Sequence, residues 1–406
     1  MPETVELTIT AVANGGEGVA RLEDGRVAFV GGALPGERVV ARLTHERARF
    51  VRAAILEVVD ASTDRVAAPC PLVEAGCGGC GWQHVDLDAQ RRLKAGIVLD
   101  AIRRGGGIEP PDPGFAPDLP ATGWRTTVRA TIDDSGRPAF RMHHSHDAVT
   151  LDATGCLVAH PLVDEVLRTA WFPPPVEEVT VRAGAATGER LVVARPAATG
   201  CDVPADTLLV GTDELAAGRR AWIHEVVAGR RWRISADSFF QGRPDGAEAL
   251  VAVVAAVVGD ALLPDARLVD LYGGVGLFAG ALGAGTGGRV VMVENNQSAV
   301  ADARVNLADL ADARILRVDV RRWRPSPADV VVADPSRHGL GAGVVGRIGA
   351  TGASALALVS CDAAALGRDA GLLAAGGWNL QSVTLVDLFP HTPHVEVVTG
   401  WKRPPA

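Results

Sequence analysis

LVDLYGGVGLFAG, running from Leu268 to Gly280, decides the fold. Its first part is an apolar strand ending in Asp270 and Leu271. A glycine-rich turn through Gly273, Gly274 and Gly276 follows, and a helix opens at Leu277 and Phe278. Glycine lets the backbone approach a ligand closely, and a helix N-terminus offers free N–H groups to polar or anionic atoms. About twenty residues on, a second strand, RVVMVE, ends in Glu294, where a carboxylate can accept from a ribose hydroxyl pair. A nucleoside cofactor is implied. Its identity stays open at this point, because Gly274, Gly276 and Ala279 also fit the dinucleotide fingerprint with alanine in third place.

Outward from that stretch, the chain from about Trp232 alternates strand and helix, the pattern of a parallel, doubly wound sheet. ARLVDLY, RVVMVE, ARILRV, ADVVVAD, ALALVS and QSVTLVDLF read as its strands. Ligands in such folds lie beyond the C-terminal strand ends. The polar residues at those ends are Asp270, Glu294, Asp319, Asp334, Ser360 with Cys361, and Asp387. ISADSFFQG sets Phe239 and Gln241 just ahead of the first helix of this region.

Three constellations downstream carry chemistry. In VVVADPSRHGLG, Asp334 ends a strand and Pro335 locks the turn; the aromatic residue of an N-methyltransferase turn is missing. In ALALVSCDAAALGRD, Cys361 lies at a strand end and just before a helix, a position that lowers a thiol pKa. In DLFPHTPHVEVVTGW, Pro390 and Pro393 stiffen a loop carrying His391, His394 and Glu396. A thiolate, a carboxylate and a nucleoside cofactor in one cleft describe methylation at a pyrimidine carbon.

Residues 1 to about 62 read as five short alternating strands between glycine turns, an OB-type barrel of the kind that often holds nucleic acid. Arg38, Arg42, Arg47, Arg49 and Arg52 favour such a partner, although nearby acids nearly cancel them. The next stretch, APCPLVEAGCGGCGWQH, gathers Cys70, Cys77 and Cys80 among glycines, and Cys156 is the natural fourth thiol. Clustered thiolates of this kind point to metal, and both zinc and a [4Fe–4S] cluster satisfy four cysteines. The C-x6-C-x2-C spacing with open backbone favours iron–sulfur, and it differs from the radical enzymes' C-x3-C-x2-C. Cys201 stands apart as a bystander.

DLDAQRRLKAGIVLDAIRR reads as an amphipathic helix stopped by Gly105 to Gly107, and a Pro-rich linker runs from Pro110 to Pro120. Antiparallel strands then continue to about residue 232, with a helical stretch from Pro161 to Thr169. His143, His144 and His146 are read as a solvated or RNA-facing loop, not a metal site. The domains are therefore 1–62, 63–232 and 233–406, with the helix over 86–106 placed to pack on the last.

Composition bounds the rest. A chain of 406 residues with 48% hydrophobic content can build two or three cores. A net charge of -8 disfavours wholesale phosphate binding, so any RNA contact must be local. MPETVELTIT lacks a leader's basic start and apolar run, and the apolar stretch from Leu250 is broken at Asp260. A cytoplasmic monomer with no membrane partner is expected.

CGGCGWQH, SFFQ, DLYGGVGLF, DPSRHGLG, SCDAAALGRD and DLFPHTPHVE, in this order over nearly the whole chain, resemble the RNA 5-methyluridine methyltransferase family. Within it, the likeness is to the branch with an N-terminal TRAM barrel and a [4Fe–4S] cluster. Two motifs depart from the family's Asp-Pro-Pro-Arg and Ser-Cys-Asn-Pro: Ser336 follows Pro335, and Asp362 with Ala363 follow Cys361. The resemblance implies that Cys361 is the nucleophile and Glu396 the base. It further implies that Phe239, Gln241 and Asp334 hold the uracil, and that Asp270, Tyr272, Gly274, Glu294 and Asp319 surround S-adenosylmethionine, with Gln241 and Asp334 beside it. TRAM with a cluster resembles ribosomal RNA enzymes more than the bacterial transfer RNA enzyme, and some archaeal transfer RNA enzymes share the architecture. Competing readings are an RNA-binding iron–sulfur protein of this fold that has lost catalysis, and a dinucleotide oxidoreductase, which would need no Cys361 and Glu396 pair.

Overall fold

A computed structural model describes residues 3–142, 147–151 and 155–403. The histidine loop at 143–146 lies outside the described residues.

Thr4 to Asp60 form a six-stranded sheet, one strand more than the sequence pattern suggests, because Ala11–Val12 pairs with Gly18–Arg21. The long strands Arg38–Glu46 and Phe50–Asp60 lie side by side, second and third in its order. Alternation buries Val39, Ala41 and Val51 with Leu7, Ile9 and Val30 and leaves the intervening residues to solvent.

A second six-stranded sheet, built from segments between Thr127 and Gly211, follows. It is antiparallel except for its last pair, Arg190–Arg195 with Thr207–Gly211. Helix Pro161–Thr169 lays Val163, Val166 and Leu167 across it, against Val179 and Val181.

The third sheet has eight strands and carries the quoted stretch at the middle of its five parallel ones. Ala313–Arg317, Val290–Glu294, Leu268–Leu271, Val330–Ala333 and Ala355–Ser360 run parallel in that spatial order. All four residues of Leu268–Leu271 are buried, as a strand covered on both faces demands. The next strand, Val397–Lys402, runs antiparallel to Ala355–Ser360 and to Asn379–Leu385. The pattern of apolar runs did not reveal it, because it starts directly after Glu396 in what reads as a loop. Val386 N–H donates to the Glu396 carbonyl at 2.9 Å and closes the intervening loop at its base.

Two upstream segments serve this sheet. Gly114–Phe115, inside the stretch read as a linker, adds an edge strand beside Asn379–Leu385. Helix Leu87–Ala101, capped by Asp86 accepting from Asp88 and Ala89 N–H, buries Ala95, Ile97 and Val98 in one cluster with Leu356, Leu366 and Ala370. Its last turn widens over Ile102–Gly106, where Gly105 and Gly106 lie against Gly367 and Gly371. A Cβ on Gly105 would sit 3.1 Å from the Gly367 carbonyl carbon, so this glycine permits helix contact besides ending a helix. No helix among the described residues is long and apolar enough to cross a membrane.

Candidate active site

The glycine turn is shaped by its own hydrogen bonds. Gly276 N–H donates to Gly273 O at 2.8 Å, and Gly274 and Gly276 take φ of +56° and +97°, which side chains resist. A Cβ on Gly274 would meet nothing within 4 Å, so this glycine faces open space. Tyr272 also adopts a positive φ, +62°. Glu294 steadies the turn from the neighbouring strand: one carboxylate oxygen accepts from Gly274 N–H at 3.0 Å, the other from Asn295 and Asn296 N–H at 2.7 Å.

Asp270 works from behind. It is fully buried, one oxygen accepts from Ala279 N–H at 2.9 Å, and the other has no partner. Burial, with the charges of Asp334 and Glu294 adding to it, pushes its carboxyl up to about 8. It therefore braces the turn rather than lining the cavity in front of it.

That cavity, about 790 Å³, is walled by Phe239, Gln241, Tyr272, Gly274, Glu294, Asp334, Cys361 and Glu396. Residues from four strand ends and from the segment ahead of the first helix thus meet in one space. An adjoining cavity of about 490 Å³ shares Tyr272, Glu294 and Ser336 with it and adds Asp319. The Arg321 guanidinium and N–H on Asp319 hold that carboxyl down, to about 2. Trp124, Arg125, Phe389, Thr392 and His394 also line the larger cavity. Of these, His394 was legible from its proline-stiffened loop; Trp124 and Arg125 read only as the start of a strand.

At the chemical end, Cys361 follows strand Ala355–Ser360, and helix Ala363–Ala375 begins two residues later. Asp362 caps that helix, its carboxylate accepting from Ala365 N–H at 2.7 Å. The position does not lower the thiol pKa as the sequence pattern suggests. Burial, then the charges of Glu396 and Asp334, push it up to about 11, against a smaller opposite pull from Arg337. Glu396 is 5% exposed, and burial with the nearby Asp334 charge raises its carboxyl well above the ordinary range. Burial likewise raises Asp334, to about 7. Two such carboxyls cannot both ionise cheaply in one buried space, and both shifts run in that direction.

Cys70, Cys77, Cys80 and Cys156 line a separate cavity of about 300 Å³, while Cys201 does not. Burial raises the thiols of Cys77, Cys80 and Cys156, Cys80 to about 11. Among the described residues no three His, Cys, Asp or Glu side chains converge closely enough for a single metal ion. Cys80, Gly79, Arg125 and Val158 belong to the walls of both this cavity and the larger one.

Residues 3–56 match the TRAM domain family. An uncharacterized RNA methyltransferase of Streptomyces coelicolor is 38% identical, over 98% of this chain and 92% of its own. One from Corynebacterium efficiens is 33% identical over 99% and 95%. The chain belongs to the RNA methyltransferase family. The fold of this RNA methyltransferase is shared from end to end with a Pyrococcus abyssi tRNA (uracil-54, C5)-methyltransferase solved with S-adenosyl-L-homocysteine. The TM-score is 0.72 at 22% identity, covering 98% of this chain and 99% of that one.

Proposed function

We propose that this RNA methyltransferase moves a methyl group from S-adenosylmethionine to C5 of an RNA uridine. The observation that carries the reading is the meeting of Cys361, Glu396 and Asp334 in the cavity that Gly274 and Glu294 also line. Uracil C5 is a weak nucleophile. Cys361 would pass its proton to the Asp334 carboxylate as its sulfur adds at C6, turning the ring into an enolate whose C5 attacks the sulfonium methyl carbon and releases S-adenosylhomocysteine. Asp334, once protonated, would rest against a uracil carbonyl and stabilise that enolate, with Gln241, which lines the same cavity, fixing the ring edge. Glu396, as carboxylate, then takes the C5 proton, and the C6–sulfur bond breaks to free Cys361. A uridine reaches this cavity only when unstacked, and Phe239, 69% exposed at its edge, offers a face for the swung-out base or its neighbour.

Cys361 and Glu396 act in sequence, so their variants fail differently. Cys361→Ala should bind RNA yet form no adduct and transfer no methyl. Glu396→Gln should add and methylate, then stall, accumulating a denaturation-resistant protein–RNA adduct while turnover falls about 10²–10⁴-fold. Normal turnover by Glu396→Gln, or an adduct formed by Cys361→Ala, overturns the mechanism.

The cysteine cavity fits a [4Fe–4S] cluster better than zinc. Tetrahedral zinc gathers its ligands at one point, and among the described residues no three such side chains converge on one ion, whereas a cubane of iron and sulfide would occupy the space of about 300 Å³ that the four cysteines line. Cys70, Cys77, Cys80 and Cys156 would hold it. Protein purified without oxygen should then be brown with about four irons per chain; a colourless protein with one zinc overturns this. The resemblance to the TRAM-bearing, cluster-containing branch of the family favours ribosomal over transfer RNA as substrate, with the cytoplasm as the compartment proposed for the enzyme. Loss of 5-methyluridine from ribosomal RNA in a deletion strain supports that choice, and loss from transfer RNA alone reverses it.

A further inference from the structure

The loop between Asp387 and Glu396 supplies Phe389, Thr392, His394 and Glu396 to the active cavity. Its opposite side is fastened to helix Leu87–Ala101, some three hundred residues away in sequence. Lys94, 2% exposed, donates to the Asp387 carboxylate at 2.6 Å and to the Phe389 carbonyl at 2.9 Å. Gln90, fully buried, accepts from His391 N–H at 2.7 Å, and its amide donates to the carbonyls of Trp82 and Val85. Trp82 N–H closes the circuit by donating to the His391 carbonyl at 2.8 Å.

Three features set this fastening apart from ordinary packing. A buried lysine is costly, and an apolar residue would serve a merely structural contact between helix and loop better. All three of the side-chain bonds from Lys94 and Gln90 to the loop fall within Asp387–His391, the stretch leading to the cavity-lining residues. His391 itself is held at φ +65°, a left-handed conformation that a non-glycine residue keeps only where its surroundings over-determine it. Strain of this kind is maintained for position.

We infer that Gln90 and Lys94 are positioning residues for the base: they fix the loop so that Glu396 lies in reach of the C5 proton. The inference rests on the proposed role of Glu396. Without the clamp, the thiolate of Cys361, carried on a different strand, still adds to C6 and the methyl is still transferred. The later proton removal is the step that suffers. Misplacement by about 1 Å can cost about 10²-fold, so Lys94→Met and Gln90→Leu should each lower kcat by about 10–10²-fold with the KM for RNA little changed.

The experiment measures kcat, KM, S-adenosylhomocysteine affinity and the denaturation-resistant adduct fraction for both variants, beside Glu396→Gln as control. Unchanged S-adenosylhomocysteine affinity certifies that the catalytic region has folded; where one variant fails this, the other decides. Accumulated adduct with reduced kcat supports the clamp, since loss of stability alone lowers the folded fraction without trapping the intermediate. Parental kcat and adduct level in a folded variant overturn it. A control Glu396→Gln that traps no adduct instead overturns the role given to Glu396, so the two failures are told apart.

Discussion

Cys361 sits in a cavity that resists its ionisation. Its thiol stands near 11 because burial and the charges of Glu396 and Asp334 outweigh the pull of Arg337. The sequence placed it at a strand end before a helix, where a thiolate is favoured, and the placement is correct. What the pattern does not reveal is that two carboxyls from distant segments converge on the same cavity. Nor does the pattern reveal that Asp270 is wholly buried behind the glycine turn, accepting from Ala279 N–H, and so is not among the residues that line the cavity. The charge effect has a testable sign. Replacing Glu396 by glutamine removes a negative charge that disfavours the thiolate, so the Cys361 pKa must fall. Alkylation of Cys361 by iodoacetamide, followed by mass spectrometry across pH, should show its midpoint at lower pH in Glu396→Gln than in the parent. An equal midpoint would mean that the carboxylate is not felt at the sulfur.

Among the elements, the turn after the nucleophile departs from the family's Asn-Pro, yet the structure retains its capping function. Asp362 accepts from Ala365 N–H at the start of helix Ala363–Ala375, the task an asparagine side chain performs equally well. Asp362→Ala should destabilise the catalytic region by about 1 kcal/mol in denaturant unfolding, with Asp362→Asn near the parent; equal loss in both would point to the charge instead of the cap. Strongly periodic elements were legible throughout: the parallel strands, the glycine turn and the helix from Leu87. The antiparallel strand Val397–Lys402 and the edge strand Gly114–Phe115 were not. One hides behind a loop motif, and the other is a two-residue pairing whose partner lies 270 positions away (Gly114 to Thr384).

Across the whole molecule, contacts between distant parts of the chain converge on the catalytic loop. Trp82, just past the cysteine loop, donates its indole N–H to the Gly16 carbonyl at 3.2 Å, and Gly16 is packed so closely on Pro393 that a Cβ there would come within 2.6 Å of it. The barrel therefore touches the loop that carries Glu396, and removing it would disturb more than RNA binding. Charge substitution probes the barrel's own contribution more cleanly. Arg26, Arg38 and Arg52 are paired with acids, whereas Arg42, Arg47 and Arg49 are exposed on or beside the Arg38–Glu46 and Phe50–Asp60 hairpin without an ion pair among the described residues. In a chain whose net charge is -8, a contact between the barrel and phosphate would call on cations such as these, which no acid neutralises among the described residues. Each phosphate neutralised on single-stranded RNA contributes about 0.7 to the slope of log affinity against log salt. The combined Arg42→Gln, Arg47→Gln and Arg49→Gln variant should weaken RNA binding and flatten that slope by about 2, while S-adenosylhomocysteine affinity stays at the parental value because none of the three lines the cofactor-side cavities. An unchanged slope would assign the RNA contact to another face and leave the barrel as a support for the catalytic loop.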